Sequence, residues 1–157
     1  MGVALREAGL TVAVAESCTG GLLGAALTAV PGASDYVLGG VIAYADAVKV
    51  ELLGVSEGQL ATRGAVSEEV AAAMAEGVRE RLHSDVGLAV TGVAGPDSEG
   101  RDKPPGLIWV ACAGPGQALS AVRNLEDLGR EGNRATAVRL ALRLCLTAVS
   151  AAARAPT

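Results

Sequence analysis

A serine lies in a sharp turn near the start of the chain, at residues 16–21, in the order Glu-Ser-Cys-Thr-Gly-Gly. A serine in such a turn, followed by two glycines and the start of a helix, can place a nucleophilic hydroxyl beside free backbone N–H groups. Those N–H groups can stabilise the oxyanion that forms when a carbonyl carbon is attacked. The same residues can instead cap the helix and allow close packing, and their spacing does not separate the two interpretations.

A serine nucleophile needs a base, and the chain contains one histidine, His83, near the end of a predicted helix. A Ser-His-Asp arrangement is therefore disfavoured, and a site with several histidine ligands for a metal is excluded. A lysine amine can take the place of the histidine as the base that activates the serine. Lys49 follows Tyr44 by about one helical turn and can reach the same crevice, provided that its amine is uncharged. The alternative interpretation is a solvated lysine on a helix surface.

Two arginines near the start of the last predicted helix, Arg130 and Arg134, are candidate ligands for a phosphate or a carboxylate. The planar guanidinium group binds such anions through two parallel N–H donors. The alternative is that both side chains are solvated on the surface.

Hydrophobic patterns predict the elements that must position these residues. Strands are predicted at residues 11–15, 37–44, 86–90, 107–113 and 118–124, and helices at 2–9, 22–30, 46–53, 67–82 and about 130–153, with a short helical turn capped by Ser56 and Gln59. Strands separated by helices pair in parallel, whereas the last two strands are joined by a short turn and form an antiparallel hairpin. The sequence therefore predicts one domain over residues 1–157, an α/β/α sandwich with a mixed, mostly parallel five-stranded sheet.

Ligands of open α/β sheets bind outside the carboxyl ends of the parallel strands. Three predicted loops follow such ends, at residues 16–21, 44–49 and 91–96, and each contains a hydroxyl group. A further loop at residues 95–106 is polar and rich in Gly and Pro, and loops of that length are often functional. We expect these loops to form one site.

The amino-acid composition limits the classes of function that this protein can have. Half of the 157 residues are hydrophobic, which is enough for a buried core, and the net charge of −4 argues against a protein whose main partner is nucleic acid. No apolar run approaches the roughly 18 residues of a membrane span, and the N-terminus lacks the pattern of a signal peptide. The prediction is a soluble, cytoplasmic protein without a membrane partner.

Cys18, Cys112 and Cys145 are predicted to be buried free thiols.

Several motifs in register resemble the CinA C-terminal domain family, which includes the PncC-type nicotinamide mononucleotide deamidases. The resemblance covers about residues 4–148 and rests on residues 15–21, Tyr44 with Lys49, residues 64–67, residues 91–96, and Lys103-Pro104 before Gly106. It implies hydrolysis of the carboxamide of nicotinamide mononucleotide to nicotinate mononucleotide and ammonia, without a metal or other cofactor. It also implies a homodimer and a mixed sheet like the one predicted above.

The resemblance assigns roles to individual residues. It implies that Ser17 attacks the amide carbon, that Lys49 accepts the serine proton, and that Tyr44 supports this transfer. The residues implied to bind the substrate are Thr19, Gly20, Gly21, Thr91, Gly92, Ala94, Gly95 and Arg130. Within this set, the backbone N–H groups of residues 19–21 would hold the oxyanion and Arg130 the phosphate.

The chain departs from the family pattern at two places. Asp46 stands where the family commonly has Asn, and a carboxylate near Lys49 favours the charged amine over the neutral base. Asp97, Ser98 and Glu99 replace a more glycine-rich loop, and Pro105 stiffens its far side. Two alternatives therefore remain open: a non-catalytic nucleotide-binding or assembly domain of a competence/damage-inducible protein, and an amidase with another substrate.

Overall fold

Helices and strands alternate along most of the chain. The computed structural model describes residues 1–100, 102–115 and 119–153. The helices are α1 (Gly2–Ala8), α2 (Leu22–Thr28), α3 (Asp46–Leu53), α4 (Glu57–Arg63), α5 (Glu68–Leu82) and α6 (Gly129–Ala152), with a short 3₁₀ turn at Ala33–Asp35. The strands are β1 (Val12–Glu16), β2 (Val37–Ile42), β3 (Val86–Gly92), β4 (Ile108–Ala113) and β5 (Leu119–Asn124). Each predicted element is present, with bounds shifted by a few residues.

The strands form one mixed sheet in the order β2-β1-β3-β4-β5. β1 pairs in parallel with β2 on one side and with β3 on the other, while β3 with β4 and β4 with β5 pair antiparallel. β4 alone runs against the other strands, because it pairs antiparallel with both of its neighbours. The predicted α/β sandwich with a mixed five-stranded sheet is confirmed.

The two faces of the sheet carry side chains of different size. On one face, valines and leucines such as Val14 and Leu88 pack against α1, α2 and α6. On the other face the strands present small residues such as Ala15 and Ala89 to α5. Gly87 lies on this second face, where a Cβ atom would collide with the Ala75 carbonyl oxygen of α5. The scarcity of large residues in the sequence therefore allows α5 to lie close to the sheet.

Capping residues define the helices that border the site. Ser56 and Gln59 form the predicted capping box, and the helix that follows it, α4, runs for seven residues instead of a single turn. The Ser67 hydroxyl accepts a hydrogen bond from the Val70 N–H at 3.3 Å and caps α5. These caps hold the segment between α4 and α5, which forms one wall of the site.

Helix α6 is long and apolar enough, by length and composition alone, to cross a membrane. It has 24 residues and a window of mean hydropathy 1.4. The expectation that no apolar stretch approaches a membrane span is therefore wrong for this helix. One such helix is weak evidence for a membrane protein, because core helices of soluble proteins meet the same criteria. In this fold, Ala137, Ala141 and Cys145 of α6 are buried in the core cluster that covers β3 and β4.

The three cysteines are buried and free, as predicted. Cys112 of β4 and Cys145 of α6 contact each other where the helix covers the sheet, and this contact together with burial raises the pKa of the Cys145 thiol. Cys145 is consequently a protonated core residue.

Candidate active site

A cleft of about 250 Å³ opens at the carboxyl ends of β1 and β3. It lies at the edge of the sheet where the sequence predicted ligand binding. Its lining comes from all three predicted loops, from the segment before α5 and from α6: Ser17, Cys18, Tyr44, Asp46, Lys49, Ala65, Val66, Thr91, Gly92, Ala94, Glu99 and Arg130. The fold therefore brings together the serine, the lysine and the arginine that the sequence analysis selected.

Ser17 follows the last residue of β1 and is half-buried in the cleft wall. Its N–H donates to the Val90 carbonyl oxygen at 3.0 Å, which extends the β1–β3 pairing by one residue. Its own carbonyl oxygen accepts from the Gly20 N–H at 3.1 Å and closes a tight turn. Gly20 has a φ of 58°, a left-handed conformation that favours glycine. The strand end and the turn thus fix the backbone of Ser17 on both sides.

Glu16 supports this turn from inside the protein. Its carboxylate is 2% exposed and accepts hydrogen bonds from the N–H groups of Gly21 at 3.0 Å, Leu23 at 3.0 Å and Gly24 at 2.8 Å. A carboxylate is well placed here because the first N–H groups of a helix have no partner within the helix. The sequence analysis missed this residue, although an acidic side chain at the end of a buried strand is itself a signal for a buried acceptor.

The oxyanion role predicted for the amides of residues 19–21 is not supported by their positions and contacts. The Gly20 N–H donates to Ser17 and the Gly21 N–H donates to Glu16, so both are already bound. Neither glycine lines the cleft, and the Thr19 side chain is fully buried. Within the described residues, the Thr19 N–H has no acceptor. Thr19 does not line the cleft either, so this amide is not placed to bind a ligand there.

Lys49 lies on α3 with its side chain 1% exposed and its amine at the cleft. The Nζ atom donates to the Tyr44 carbonyl oxygen at 3.2 Å and to Asp46 Oδ1 at 3.1 Å. The alternative of a solvated surface lysine is wrong. Tyr44 is 63% exposed at the mouth of the cleft. The hydrogen bond between Tyr44 and Lys49 is made by the Tyr44 backbone carbonyl and not by its side chain. Burying an amine requires acceptors, and these two oxygens supply them.

The β3 end of the cleft is formed by residues 91–95. The Thr91 hydroxyl donates to the Ala65 carbonyl oxygen at 2.8 Å and ties this end to the wall before α5. Gly92 and Ala94 line the cleft. Gly95 does not line it, but its carbonyl oxygen accepts from Arg130 Nη1 at 2.6 Å. Gly95 therefore contributes by positioning an arginine.

The two candidate arginines have different environments. Arg130 lines the cleft at the first turn of α6. Arg134, one turn later, directs its guanidinium at the serine turn, with Nε 3.2 Å from the Cys18 carbonyl oxygen and Nη2 2.9 Å from the Thr19 carbonyl oxygen. The prediction that Arg134 is an anion ligand is therefore not supported by its contacts.

Asn133 joins α6 to the loop after β3. It is fully buried, and its Nδ2 donates to the Ala94 carbonyl oxygen at 3.0 Å and to Asp127 Oδ1 at 2.8 Å. Its Oδ1 accepts from the Leu128 N–H at 2.8 Å. The sequence analysis missed this residue, because nothing in the apolar pattern of the helix marks a buried amide at this position. Asn133 fixes the start of α6 and hence the position of Arg130.

The loop between β3 and β4 closes one side of the cleft through Glu99. The Glu99 carboxylate pairs with Lys103 Nζ at 3.4 Å, and the same amine donates to the Arg63 carbonyl oxygen at 3.3 Å. The loop is thereby attached to the end of α4. Glu99 belongs to the residues that depart from the glycine-rich family pattern, whereas Lys103 belongs to a motif that carries the resemblance.

Two other kinds of chemistry receive no support from the site. Burial raises the pKa of the Cys18 thiol to about 11, so at neutral pH this neighbour of Ser17 is protonated and a poor nucleophile. Within residues 1–100, 102–115 and 119–153, no group of three His, Cys, Asp or Glu side chains is placed to hold a metal ion.

A comparison with protein families identifies the family to which the chain belongs. Residues 1–149 match the profile described as CinA C-terminal domain. The chain belongs to the CinA C-terminal domain family.

Relatives support the assignment. A CinA-like protein of Gloeobacter violaceus is 53% identical over 141 residues, which cover 89% of this chain and 33% of the relative. A putative competence-damage inducible protein of Halothermothrix orenii is 54% identical over 114 residues, which cover 73% of this chain and 28% of the relative. The chain thus spans about a third of the length of the curated relatives it matches.

Solved structures of the CinA superfamily share the fold. The competence/damage inducible protein CihA from Agrobacterium tumefaciens superposes with a TM-score of 0.89 at 37% identity, covering 92% of this chain and 88% of that one. A CinA superfamily protein from Escherichia coli gives a TM-score of 0.87 at 36% identity, covering 90% and 82%. The CinA C-terminal fold therefore extends over nearly all of the described residues.

Proposed function

We propose that this CinA-family chain is an amidohydrolase that converts nicotinamide mononucleotide to nicotinate mononucleotide and ammonia. The observation that carries the proposal is the buried amine of Lys49, which shares one cleft with the hydroxyl of Ser17. A serine needs a base to become a nucleophile, and a buried lysine is the residue of this cleft suited to that role. A protein that only binds or assembles requires neither group.

The proposed reaction has two steps. In the first, neutral Lys49 takes the proton of Ser17 as the serine oxygen attacks the amide carbon, and the tetrahedral intermediate collapses when Lys49 returns that proton to the departing ammonia. The product is an ester between Ser17 and the nicotinoyl group. In the second step, Lys49 takes a proton from water, the hydroxide attacks the ester, and the serine leaves with that proton. The carboxylate is released as nicotinate mononucleotide.

Arg130 is the proposed ligand of the nucleotide phosphate. Its Nη1 is held by the Gly95 carbonyl, and a guanidinium group has five N–H donors in a fixed plane, so further donors remain for the phosphate oxygens. Binding energy gathered at the phosphate would orient the carboxamide against Ser17 at the other end of the substrate. Tyr44, at the exposed mouth of the cleft, is proposed to assist proton transfer as the family resemblance implies.

Ammonia release from nicotinamide mononucleotide tests the proposal. We expect turnover by the native chain and a loss of about a thousandfold or more in kcat with Ser17→Ala or with Lys49→Met, which keeps the side-chain volume but removes the base. Ser120→Ala, which makes the same change on an exposed position of β5, serves as the control. Activity that survives both active-site substitutions would refute the proposal.

A second function, nucleotide binding without turnover, is favoured by one observation. Asp46 accepts a hydrogen bond from Lys49, and this carboxylate stabilises the charged amine that cannot act as a base. Isothermal titration with nicotinamide mononucleotide separates the two functions, because the alternative gives heat of binding without ammonia. A panel of pyridine nucleotides and simple amides distinguishes an amidase of different specificity.

The proposal also includes the setting of the enzyme. We place it in the cytoplasm, where pyridine nucleotides are salvaged, and expect a homodimer by analogy with the family. Sedimentation equilibrium of the purified chain measures the second of these expectations directly.

A further inference from the structure

Asp46 brings a carboxylate into the wall of the cleft beside the buried amine of Lys49. It is the first residue of α3, and its side chain is 58% exposed. Its Oδ1 atom accepts a hydrogen bond from Lys49 Nζ at 3.1 Å. A negative charge therefore lies next to the group that is proposed to move protons.

The proposed roles of Ser17 and Lys49 determine where the amide of the substrate lies. Lys49 returns a proton to the departing nitrogen, so that nitrogen comes within hydrogen-bond distance of Nζ, about 3 Å. Because Asp46 Oδ1 is 3.1 Å from the same Nζ, the nitrogen lies no farther than about 6 Å from this carboxylate oxygen. Hydrolysis replaces the nitrogen with an oxygen, which becomes part of the carboxylate of the product.

Substrate and product differ in charge at this point. The carboxamide is neutral, and its N–H₂ group is a hydrogen-bond donor, which a carboxylate can accept. The carboxylate of the product is negative and can only accept hydrogen bonds. Two negative charges about 6 Å apart repel each other, and they do so more strongly in a cleft than in bulk water. Asp46 therefore opposes binding of the product and not of the substrate.

The other charged residues of the cleft lining do not favour the substrate over the product in this way. Arg130 is proposed to bind the phosphate, which both molecules share. The charge of Glu99 is balanced by Lys103 Nζ at 3.4 Å, and Lys103 does not line the cleft. Lys49, when protonated, attracts the product carboxylate, and the charge of Asp46 offsets that attraction.

We propose that Asp46 is a specificity-determining residue, whose negative charge makes the cleft bind the carboxamide substrate in preference to the carboxylate product. The inference rests on the proposed function, because the place of the carboxamide follows from the roles of Ser17 and Lys49. Asp46 thereby limits inhibition by nicotinate mononucleotide. The same charge attracts the amine of Lys49 as a cation, so weak product binding is obtained at the expense of the rate of the chemical step.

Isothermal titration tests the inference by equilibrium binding. Ser17→Ala prevents turnover, so the Kd values of nicotinamide mononucleotide and nicotinate mononucleotide can both be measured on it. We expect the further change Asp46→Asn to lower the Kd of the product by about tenfold and to change that of the substrate by less than about threefold. Asp46→Glu, which keeps the charge, should retain the selectivity. Glu51→Gln, at an exposed position of the same helix, is the matched control.

A salt titration needs no change at position 46. The carboxylate of Asp46 is half exposed, so salt should screen its repulsion of the product. Because the two nucleotides share their phosphate, the ratio of their Kd values cancels the effect of salt on phosphate binding. We expect this ratio to fall toward that of the Asp46→Asn variant when sodium chloride is raised from about 0.05 M to about 1 M.

Product inhibition gives the same comparison during turnover. Steady-state kinetics of ammonia release yields the inhibition constant Ki of nicotinate mononucleotide and the KM of the substrate. The ratio of Ki to KM should be about tenfold lower for Asp46→Asn than for the native chain. A residue that only holds the fold of the cleft would change Ki and KM together.

The outcomes separate the two proposals. Turnover by the native chain, with the same ratio of Ki to KM in a folded Asp46→Asn variant, overturns the inference and leaves the proposed function intact. Equal changes in the affinity for substrate and product also overturn it, because Asp46 would then only order the cleft. A native chain that releases no ammonia refutes the proposed function, and the inference is lost with it.

Discussion

The amine of Lys49 lies 3.1 Å from the carboxylate of Asp46, three residues earlier on the same helix. The lysine side chain is 1% exposed and the aspartate side chain 58% exposed, so the pair joins a buried amine to a carboxylate in contact with solvent. In the proposed reaction this amine is the base, and the carboxylate places a negative charge beside it.

Replacement of Asp46 by Asn should raise the rate of the proposed reaction. Asn removes the negative charge that attracts the Lys49 amine as a cation, whereas the proposed base is the uncharged amine. Ammonia release from nicotinamide mononucleotide at pH 7 should increase by about tenfold, measured by steady-state kinetics. Glu51→Gln, an exposed carboxylate on the same helix, should leave the rate unchanged. A lower rate for Asp46→Asn would show that the carboxylate orients the lysine instead.

Replacement of Glu16 by Gln should destabilise the fold. The glutamine amide places an N–H₂ group against the backbone N–H groups of α2, which removes charged hydrogen bonds from a buried position. We expect the free energy of unfolding to fall by about 3 kcal/mol, measured by urea denaturation. Glu7→Gln, at an exposed position of α1, is the control. A difference below about 0.5 kcal/mol would mean that water or movement of the turn replaces these bonds.

The Asp85 carboxylate should make stability depend on pH. It accepts hydrogen bonds from the Thr11 N–H at 2.8 Å and from the Thr11 hydroxyl at 2.7 Å, and these bonds lower the pKa of Asp85. A lowered pKa stabilises the folded state above the ordinary value of about 3.9, and this contribution is lost as the pH falls through the folded-state value.

Asp85→Asn should therefore unfold more easily than the native chain at pH 7, by about 1 kcal/mol because the group is exposed and screened by solvent. The difference should shrink as the pH is lowered through about 4. Thermal unfolding of both chains across this range measures it. A difference that is constant with pH would indicate that the charge of Asp85 contributes nothing.

The Cys18 thiol should resist alkylation despite its place in the cleft wall. With its pKa raised to about 11, the reactive thiolate is a small fraction at pH 8. Reaction with iodoacetamide at pH 8, followed by peptide mapping, should be about a hundredfold slower at Cys18 than at an ordinary exposed thiol. It should accelerate as the pH approaches 11. Fast modification at pH 8 would make Cys18 a rival of Ser17 as the nucleophile.

The sequence predicted those parts of the molecule that depend on local pattern. Alternating and helical hydrophobic spacing located the strands and helices, and the rule on the ends of parallel strands placed Ser17, Lys49 and Thr91 at one edge of the sheet. Arg130 was selected by its residue type near the start of the last predicted helix and by the family resemblance. These predictions needed only the order of elements and the identity of residues close in the chain.

The supporting residues could not be predicted in the same way. Arg134 holds the carbonyls of Cys18 and Thr19 across more than a hundred residues, and Asn133 holds the carbonyl of Ala94 across 39. Such contacts depend on the direction of individual carbonyl and amide groups after folding, which no spacing reveals. For the same reason the sequence assigned the Gly21 N–H to an oxyanion, although the Glu16 carboxylate occupies it.

Covalent attack by Ser17 is the step on which the proposed reaction depends, and rapid acid quench with mass spectrometry measures it directly. After mixing with nicotinamide mononucleotide, the native chain should carry a nicotinoyl nucleotide ester that maps to Ser17, or yield a hydroxamate when hydroxylamine is present. Ser17→Ala should form neither product. Ammonia release by the native chain without an ester or a hydroxamate, or with the adduct on another residue, would contradict the account.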